Sequence, residues 1–168
     1  MIAQRKAAYL SDSTLKSLSK DILETLENHP AFRASSTILL YHSLKDEVYT
    51  HAFIEKWSND KHILLPVVQG DELELRSYRS HDDLAIGAYG IQEPIGSPFH
   101  DYTKIDLVIV PGVAFDASGS RLGRGKGYYD KLLPKLAAHK IGICFPFQLV
   151  DEIPTEEFDI QMNEIIYR

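Results

Sequence analysis

Four short apolar runs, at residues 37–41 (TILLY), 63–68 (ILLPVV), 105–110 (IDLVIV) and 141–145 (IGICF), constrain this chain more than any other feature. They are rich in β-branched residues and do not alternate apolar with polar, as strands buried on both faces do not. Between them lie segments of helical period. Ser11 or Ser13 is placed to cap a helix with Leu15, Leu18, Ile22 and Leu26 on one face, ended by Asn28 and Pro30. Thr50 is placed to cap a short helix carrying Phe53, Ile54 and Trp57, and residues 128–136 repeat apolar positions at helical spacing. Residues 1–9 are also compatible with a helix. This alternation predicts an α/β fold: one domain over residues 1–168, a mainly parallel sheet, and helices on both faces.

One departure from the parallel pattern is expected. Gln69-Gly70-Asp71 turns into 73–78, where Leu73, Leu75 and Ser77 alternate with Glu74 and Arg76, which predicts a hairpin with one face toward water. Residues 80–104 hold Gly87, Gly90, Pro94, Gly96 and Pro98 without a clear period and read as mostly loop. Residues 149–159 form an acidic, proline-containing connection, and 165–167 suit a last strand.

At 168 residues, 44% hydrophobic and 25% charged, the chain can bury a full core and has no signature of disorder. No run approaches the length of a membrane span, and the N-terminus lacks the apolar core of a secretory signal. A lone cysteine, Cys144, sits in an apolar run, so a buried thiol and a cytoplasmic setting are expected. A net charge of −6 argues against nucleic acid as a partner. A small ligand and a monomeric chain are expected.

Against that acidic background one stretch stands out, residues 111–130, PGVAFDASGSRLGRGKGYYD. Four of the ten glycines fall within nine residues, 119 to 127, interleaved with Arg121, Arg124 and Lys126. A buried strand precedes it and a helix start follows it. Glycines let backbone N–H groups approach oxygen atoms, arginines fork onto phosphate, and lysine adds a mobile point charge. The pattern is not a P-loop, because Gly125-Lys126 is followed by glycine and the position five before Gly125 is Ser120. It is not the dinucleotide fingerprint either, since Gly123, Gly125 and Gly127 give GxGxG. Asp130 is placed to hold a Mg²⁺ that bridges phosphates, and Tyr128 and Tyr129 offer flat surfaces. Taken by itself, such a loop is as readily a solvated surface turn.

The whole run resembles the signature of the 5-formyltetrahydrofolate cyclo-ligases, also called methenyltetrahydrofolate synthetases. YHSLKDEVYT, ILLPVV, YGIQEP and FDIQMNEIIY resemble other segments of that family, in the same order. The resemblance implies an ATP- and Mg²⁺-dependent conversion of 5-formyltetrahydrofolate to 5,10-methenyltetrahydrofolate, ADP and phosphate. It further implies that Arg121, Gly123, Arg124, Gly125, Lys126 and Gly127 contact ATP phosphates, with Arg124 and Lys126 catalytic. Glu47, Tyr128 and Tyr129 would meet the folate, and Asp130 and Asp159 would hold Mg²⁺. Asp46, next to Glu47, is an equal candidate for the acidic role, and His42 falls at a pocket position that the family usually fills with an apolar residue.

The family's first helix opens with a Lys and an Arg that help hold both substrates; aligned through Ile2 and Arg5, both fall before Met1. A truncated chain, a start set too late or weaker ATP binding is therefore expected. A folate- or nucleotide-binding protein of the same fold with impaired catalysis is the alternative.

Overall fold

Ser11 opens the first described helix, its hydroxyl accepting from the Thr14 N–H at 3.2 Å. The computed structural model describes residues 11–87, 90–157 and 159–168. The expected helix over 1–9 and the positions of Ile2 and Arg5 lie outside them. The helices are α1 (Asp12–Glu27), α2 (Pro30–Ala34), α3 (His51–Trp57) and α4 (Tyr128–Leu132). The strands are β1 (Thr37–Leu39), β2 (His62–Gln69), β3 (Glu72–Tyr78), β4 (Leu84–Ile86), β5 (Gln92–Pro94) and β6 (Pro98–Phe99). They continue with β7 (Leu107–Val110), β8 (Ala114–Asp116), β9 (Arg121–Leu122), β10 (His139–Ile143), β11 (Leu149–Val150) and β12 (Glu164–Ile166).

The main sheet has seven strands in the order β12-β10-β7-β1-β2-β3-β6. The strands from β12 to β2 run parallel; β3 and β6 close one edge antiparallel. Because each strand projects side chains alternately, the apolar runs feed two cores. Ile38, Ile63, Leu65, Leu107 and Ile109 meet α1, α2 and α3 through Ile22, Leu26, Phe32 and Ile54. Leu39, Leu64, Val108 and Val110 face Leu132, Leu133 and Leu136 on the other side. The sheet is covered by helices on both faces, as the unbroken apolar runs require.

Three local expectations change. Residues 80–104 hold a two-stranded ribbon, β4 with β5, and β6 extends the sheet edge beside β3. Strands of two or three residues are too short to display a period. Helix α4 stops at Leu132 and continues as a 3₁₀ turn, Leu133–Lys135. Pro134 explains this, since it lacks an N–H and its ring crowds the carbonyl four residues back. Thr50 stands at the N-cap of α3, but its side chain does not cap the helix. Its hydroxyl instead donates to the Tyr41 carbonyl at 2.6 Å.

Candidate active site

Parallel strands end on one side of the sheet, and there the chain leaves β1 toward β2 but leaves β7 toward β10. Opposite exits from adjacent strands open a crevice beyond their carboxyl ends. A cleft of about 620 Å³ lies at that point, floored by Tyr41 and His42 after β1, by Pro111 and Gly112 after β7, and by the end of β2. Of the residues singled out in the sequence, Glu47, Arg121, Gly123, Arg124, Gly125 and Lys126 line it. So do Gly127, Tyr128, Tyr129, Asp130 and Asp159.

The loop after β1 is held by reciprocal hydrogen bonds. Ser43 N–H donates to Thr50 Oγ1 at 3.1 Å and Thr50 N–H to Ser43 Oγ at 3.0 Å. Inside that brace, Leu44 N–H donates to Glu47 Oε1 at 2.7 Å and Glu47 N–H to the Leu44 carbonyl at 3.1 Å. Tyr41 Oη donates to the Val48 carbonyl at 3.2 Å. The result presents Asp46 and Glu47 at the mouth of the cleft. Burial raises the pKa of Glu47, and the Leu44 N–H and the charge of Arg124 work against that shift.

The glycine-rich stretch is two structures. Its first half is a small sheet, β9-β8-β11, with β8 and β9 antiparallel. Buried Asp116 anchors it, accepting from Ser118 N–H and Ser120 N–H at Oδ1, both 3.0 Å, and from Ile153 N–H at Oδ2, 2.9 Å. Asp116 is therefore structural, and the expected single long loop is half strand. Arg121, on β9, donates through Nε to the Pro111 carbonyl at 2.6 Å, and its guanidinium lies 4.8 Å from the Tyr129 ring centroid. Burial lowers the Arg121 pKa and raises that of Tyr129, yet a guanidinium remains charged in either setting.

The second half is exposed from Arg124 to Lys126. Gly125 and Gly127 adopt φ values of +91° and +72°. Arg124 Nη2 reaches across to Asp46 Oδ1 at 2.5 Å, with Glu47 Oε2 at 3.8 Å. Partial burial of the guanidinium acts against its charge, but the hydrogen bond and charge of Asp46 outweigh it and raise the Arg124 pKa. Cations of the loop and acids of the β1 exit thus meet across the cleft.

On the rim, Asp130 and Asp159 are both exposed, near Glu156. Asp159 Oδ2 accepts from Glu156 N–H at 2.7 Å. Among the described residues no three His, Cys, Asp or Glu side chains converge as a closed metal site. A Mg²⁺ shared with phosphates needs only one or two carboxylates, and this all-oxygen donor set suits it.

His42 stacks on His51 with centroids 3.7 Å apart and an 11° interplanar angle. The Tyr49 ring lies tilted beside His51, with centroids 4.7 Å apart. His51 is pinned by a 2.9 Å hydrogen bond between Nε2 and the Ser43 carbonyl. Burial, then the nearby His51 and His81, lower the His42 pKa to about 4, so it is neutral near pH 7. Cys144 is fully buried, and burial pushes its thiol up to about 12, which makes it inert.

Sequence reasoning missed part of the wall. Ile91, Gln92, Glu93 and Pro94 of the β4–β5 ribbon line the cleft, as do Val67 and Val68 at the end of β2. Val68 and Ile91 remain 49% and 47% exposed, apolar surface facing the cleft rather than a core. The signal was the family resemblance of YGIQEP and ILLPVV, which assigned these residues no role. No described helix is long and apolar enough to cross a membrane.

Comparison with known proteins gives the geometry a family. The sequence model of the 5-formyltetrahydrofolate cyclo-ligase family matches residues 1–168. A probable 5-formyltetrahydrofolate cyclo-ligase of Schizosaccharomyces pombe is 31% identical, covering 94% of this chain and 87% of that protein. The 5-formyltetrahydrofolate cyclo-ligase of Escherichia coli K12 is 29% identical over 99% of this chain and 96% of its own length. The solved 5,10-methenyltetrahydrofolate synthetase of Aquifex aeolicus superposes with a TM-score of 0.87 at 34% identity, covering 98% of this chain and 85% of that one. The corresponding Mycoplasma pneumoniae structure gives a TM-score of 0.77 at 28% identity, with 98% and 93% covered. With its whole length matched and the signature loop at the mouth of the cleft, this chain belongs to the 5-formyltetrahydrofolate cyclo-ligase family.

Proposed function

We propose that the cleft binds MgATP beside 5-formyltetrahydrofolate and closes the folate to 5,10-methenyltetrahydrofolate, releasing ADP and phosphate. The observation that carries this reading is the convergence of Arg121, Arg124 and Lys126 with the Asp46–Glu47 pair in one cleft at the β1/β7 switch point.

The formyl group is an amide whose oxygen is a poor leaving group. Its oxygen attacks the γ-phosphorus, the bond to the β-phosphate oxygen breaks, and ADP departs. The formyl carbon is then an electrophilic iminium carbon bearing a phosphate. N10 attacks it and loses its proton, the carbon–oxygen bond breaks, and phosphate leaves with the original formyl oxygen. Such a transfer depends on positioning and charge neutralisation more than on a protein nucleophile.

Arg121 supplies a fixed charge, because the Pro111 carbonyl and the Tyr129 ring hold its guanidinium. Arg124 and Lys126 stand on the exposed turn and follow the phosphate as charge moves from the β–γ bridge to the formyl oxygen. The backbone N–H groups of Gly123, Gly125 and Gly127 approach the phosphate oxygens. Asp130 and Asp159 would hold Mg²⁺, which supplies neutralisation of phosphate charge when bound. Tyr128 and the apolar Val68 and Ile91 give the folate ring a surface, and Glu47 sets a negative charge near the iminium carbon.

The test is an absorbance assay in the near ultraviolet for the methenyl product. Protein, 5-formyltetrahydrofolate and MgATP together should give product; omission of ATP or chelation of Mg²⁺ should abolish it. Folate binding without turnover in the complete mixture would replace this reading with that of a binding protein.

A further inference from the structure

Asp46 and Arg124 are unequal partners. Asp46 stands on a loop braced by Ser43, Thr50 and Glu47. Arg124 stands on a turn where a side chain added at Gly125 would meet nothing within 4 Å. The backbone on either side of Asp46 is held, whereas the turn that carries Arg124 has room to move. Their contact, 2.5 Å from Nη2 to Oδ1, joins residues 78 apart in the chain and is half exposed on both sides. Among the described residues Asp46 has no other hydrogen bond or ion pair, whereas Glu47 is held by Leu44 N–H. A guanidinium fork engages a carboxylate and a phosphate through the same N–H groups, so the two anions compete.

We infer that Asp46 is a positioning residue that holds Arg124 over the cleft and is displaced by nucleotide phosphate, so that Arg124 exchanges one anion for the other. This rests on the MgATP reading. The exchange has two consequences. Nucleotide affinity is lowered by the pairing that must be broken. The exchange also leaves Asp46 and Glu47 with less positive charge beside them at the moment the folate develops its iminium carbon.

The experiment is calorimetric titration of Mg·ADP into the full-length protein and its Asp46→Ala, Asp46→Glu, Arg124→Ala and Asp46→Ala/Arg124→Ala forms, with the KM for ATP and kcat measured in parallel. Asp46→Ala should bind Mg·ADP about two- to fivefold more tightly, the fold-change that an exposed ion pair represents. Its KM for ATP should fall in step without a rise in kcat. Asp46→Glu should restore affinity toward that of the wild type, and the gain should vanish in the Arg124→Ala background. Unchanged or weaker binding by Asp46→Ala would overturn the exchange, as would an equal gain without Arg124, which indicates plain repulsion. No ATP-dependent turnover by the wild type would overturn the MgATP reading itself, and the exchange with it.

Discussion

The two halves of the glycine-rich stretch make an instructive contrast. From Val113 to Leu122 the chain is buried or half-buried except at Ala117 and Ser118, paired as β8 and β9, and tied by Asp116 to three backbone N–H groups. From Arg124 to Lys126 it is exposed, and among the described residues the arginine is engaged only by side chains across the cleft. Both halves carry glycine, but for opposite reasons. At Gly119, with φ +89°, an added Cβ would lie 2.3 Å from the Met162 carbonyl oxygen, so the fold has no room for it. At Gly125, with φ +91°, nothing lies within 4 Å, so only the backbone conformation demands glycine. One sequence signature therefore joins a scaffold to the exposed turn that we propose handles phosphate.

The contrast breaks most clearly at its anchors. Asp116→Ala leaves three backbone N–H groups, two of them buried, without their acceptor and should cost about 3 kcal/mol, a fall in Tm of roughly 10 °C. Activity per folded molecule should stay within about threefold of wild type. Thermal melts with an assay on the soluble fraction would check both. Arg124→Ala should do the reverse, lowering kcat about 100-fold or more while moving Tm by less than about 2 °C. If Arg124→Ala unfolded the protein, or Asp116→Ala abolished activity at full stability, the division would be wrong.

The glycine pair sharpens it. Gly119→Ala adds a backbone clash to the left-handed strain and should be the more damaging to Tm. Gly125→Ala should carry the strain alone, about 1–2 kcal/mol, and reveal itself mainly as a raised KM for ATP.

The smallest effect is expected at Glu47. Its folded pKa is raised above the ordinary 4.5 by burial, so the stability it contributes is present below pH 4.5 and is lost as pH rises through the folded value. Glu47→Gln should therefore melt no lower than wild type at neutral pH and flatten the decline above pH 4.5, while turnover falls. A variant that melts lower at pH 7 and regains nothing in acid would show that ionised Glu47 stabilises the fold.

Much of this was legible in the sequence because it depends on local chemistry. The apolar runs required a sheet covered on both faces, and Ser11 announced α1 through its own hydroxyl. The cations of the loop were readable because they are rare in an acidic chain. What escaped depends on distant contacts. Thr50 looked like a cap, but the carbonyl of Tyr41 competes successfully for its hydroxyl. The anchoring role of Asp116 depends on Ile153, from a remote connection, which completes its hydrogen bonds. The ribbon that carries Ile91 to Pro94 is made of strands too short to show a period. Asp46 and Glu47 were equivalent as letters; the brace around the β1 exit buries one and presents the other to Arg124.

We propose that the cations of this cleft serve phosphoryl transfer to the formyl oxygen. The most direct measurement uses 5-formyltetrahydrofolate labelled with ¹⁸O in the formyl group, with MgATP, followed by mass analysis of the released phosphate. Phosphoryl transfer to that oxygen predicts one labelled oxygen in inorganic phosphate for each methenyl product formed. Label recovered in water, with unlabelled phosphate, would contradict it.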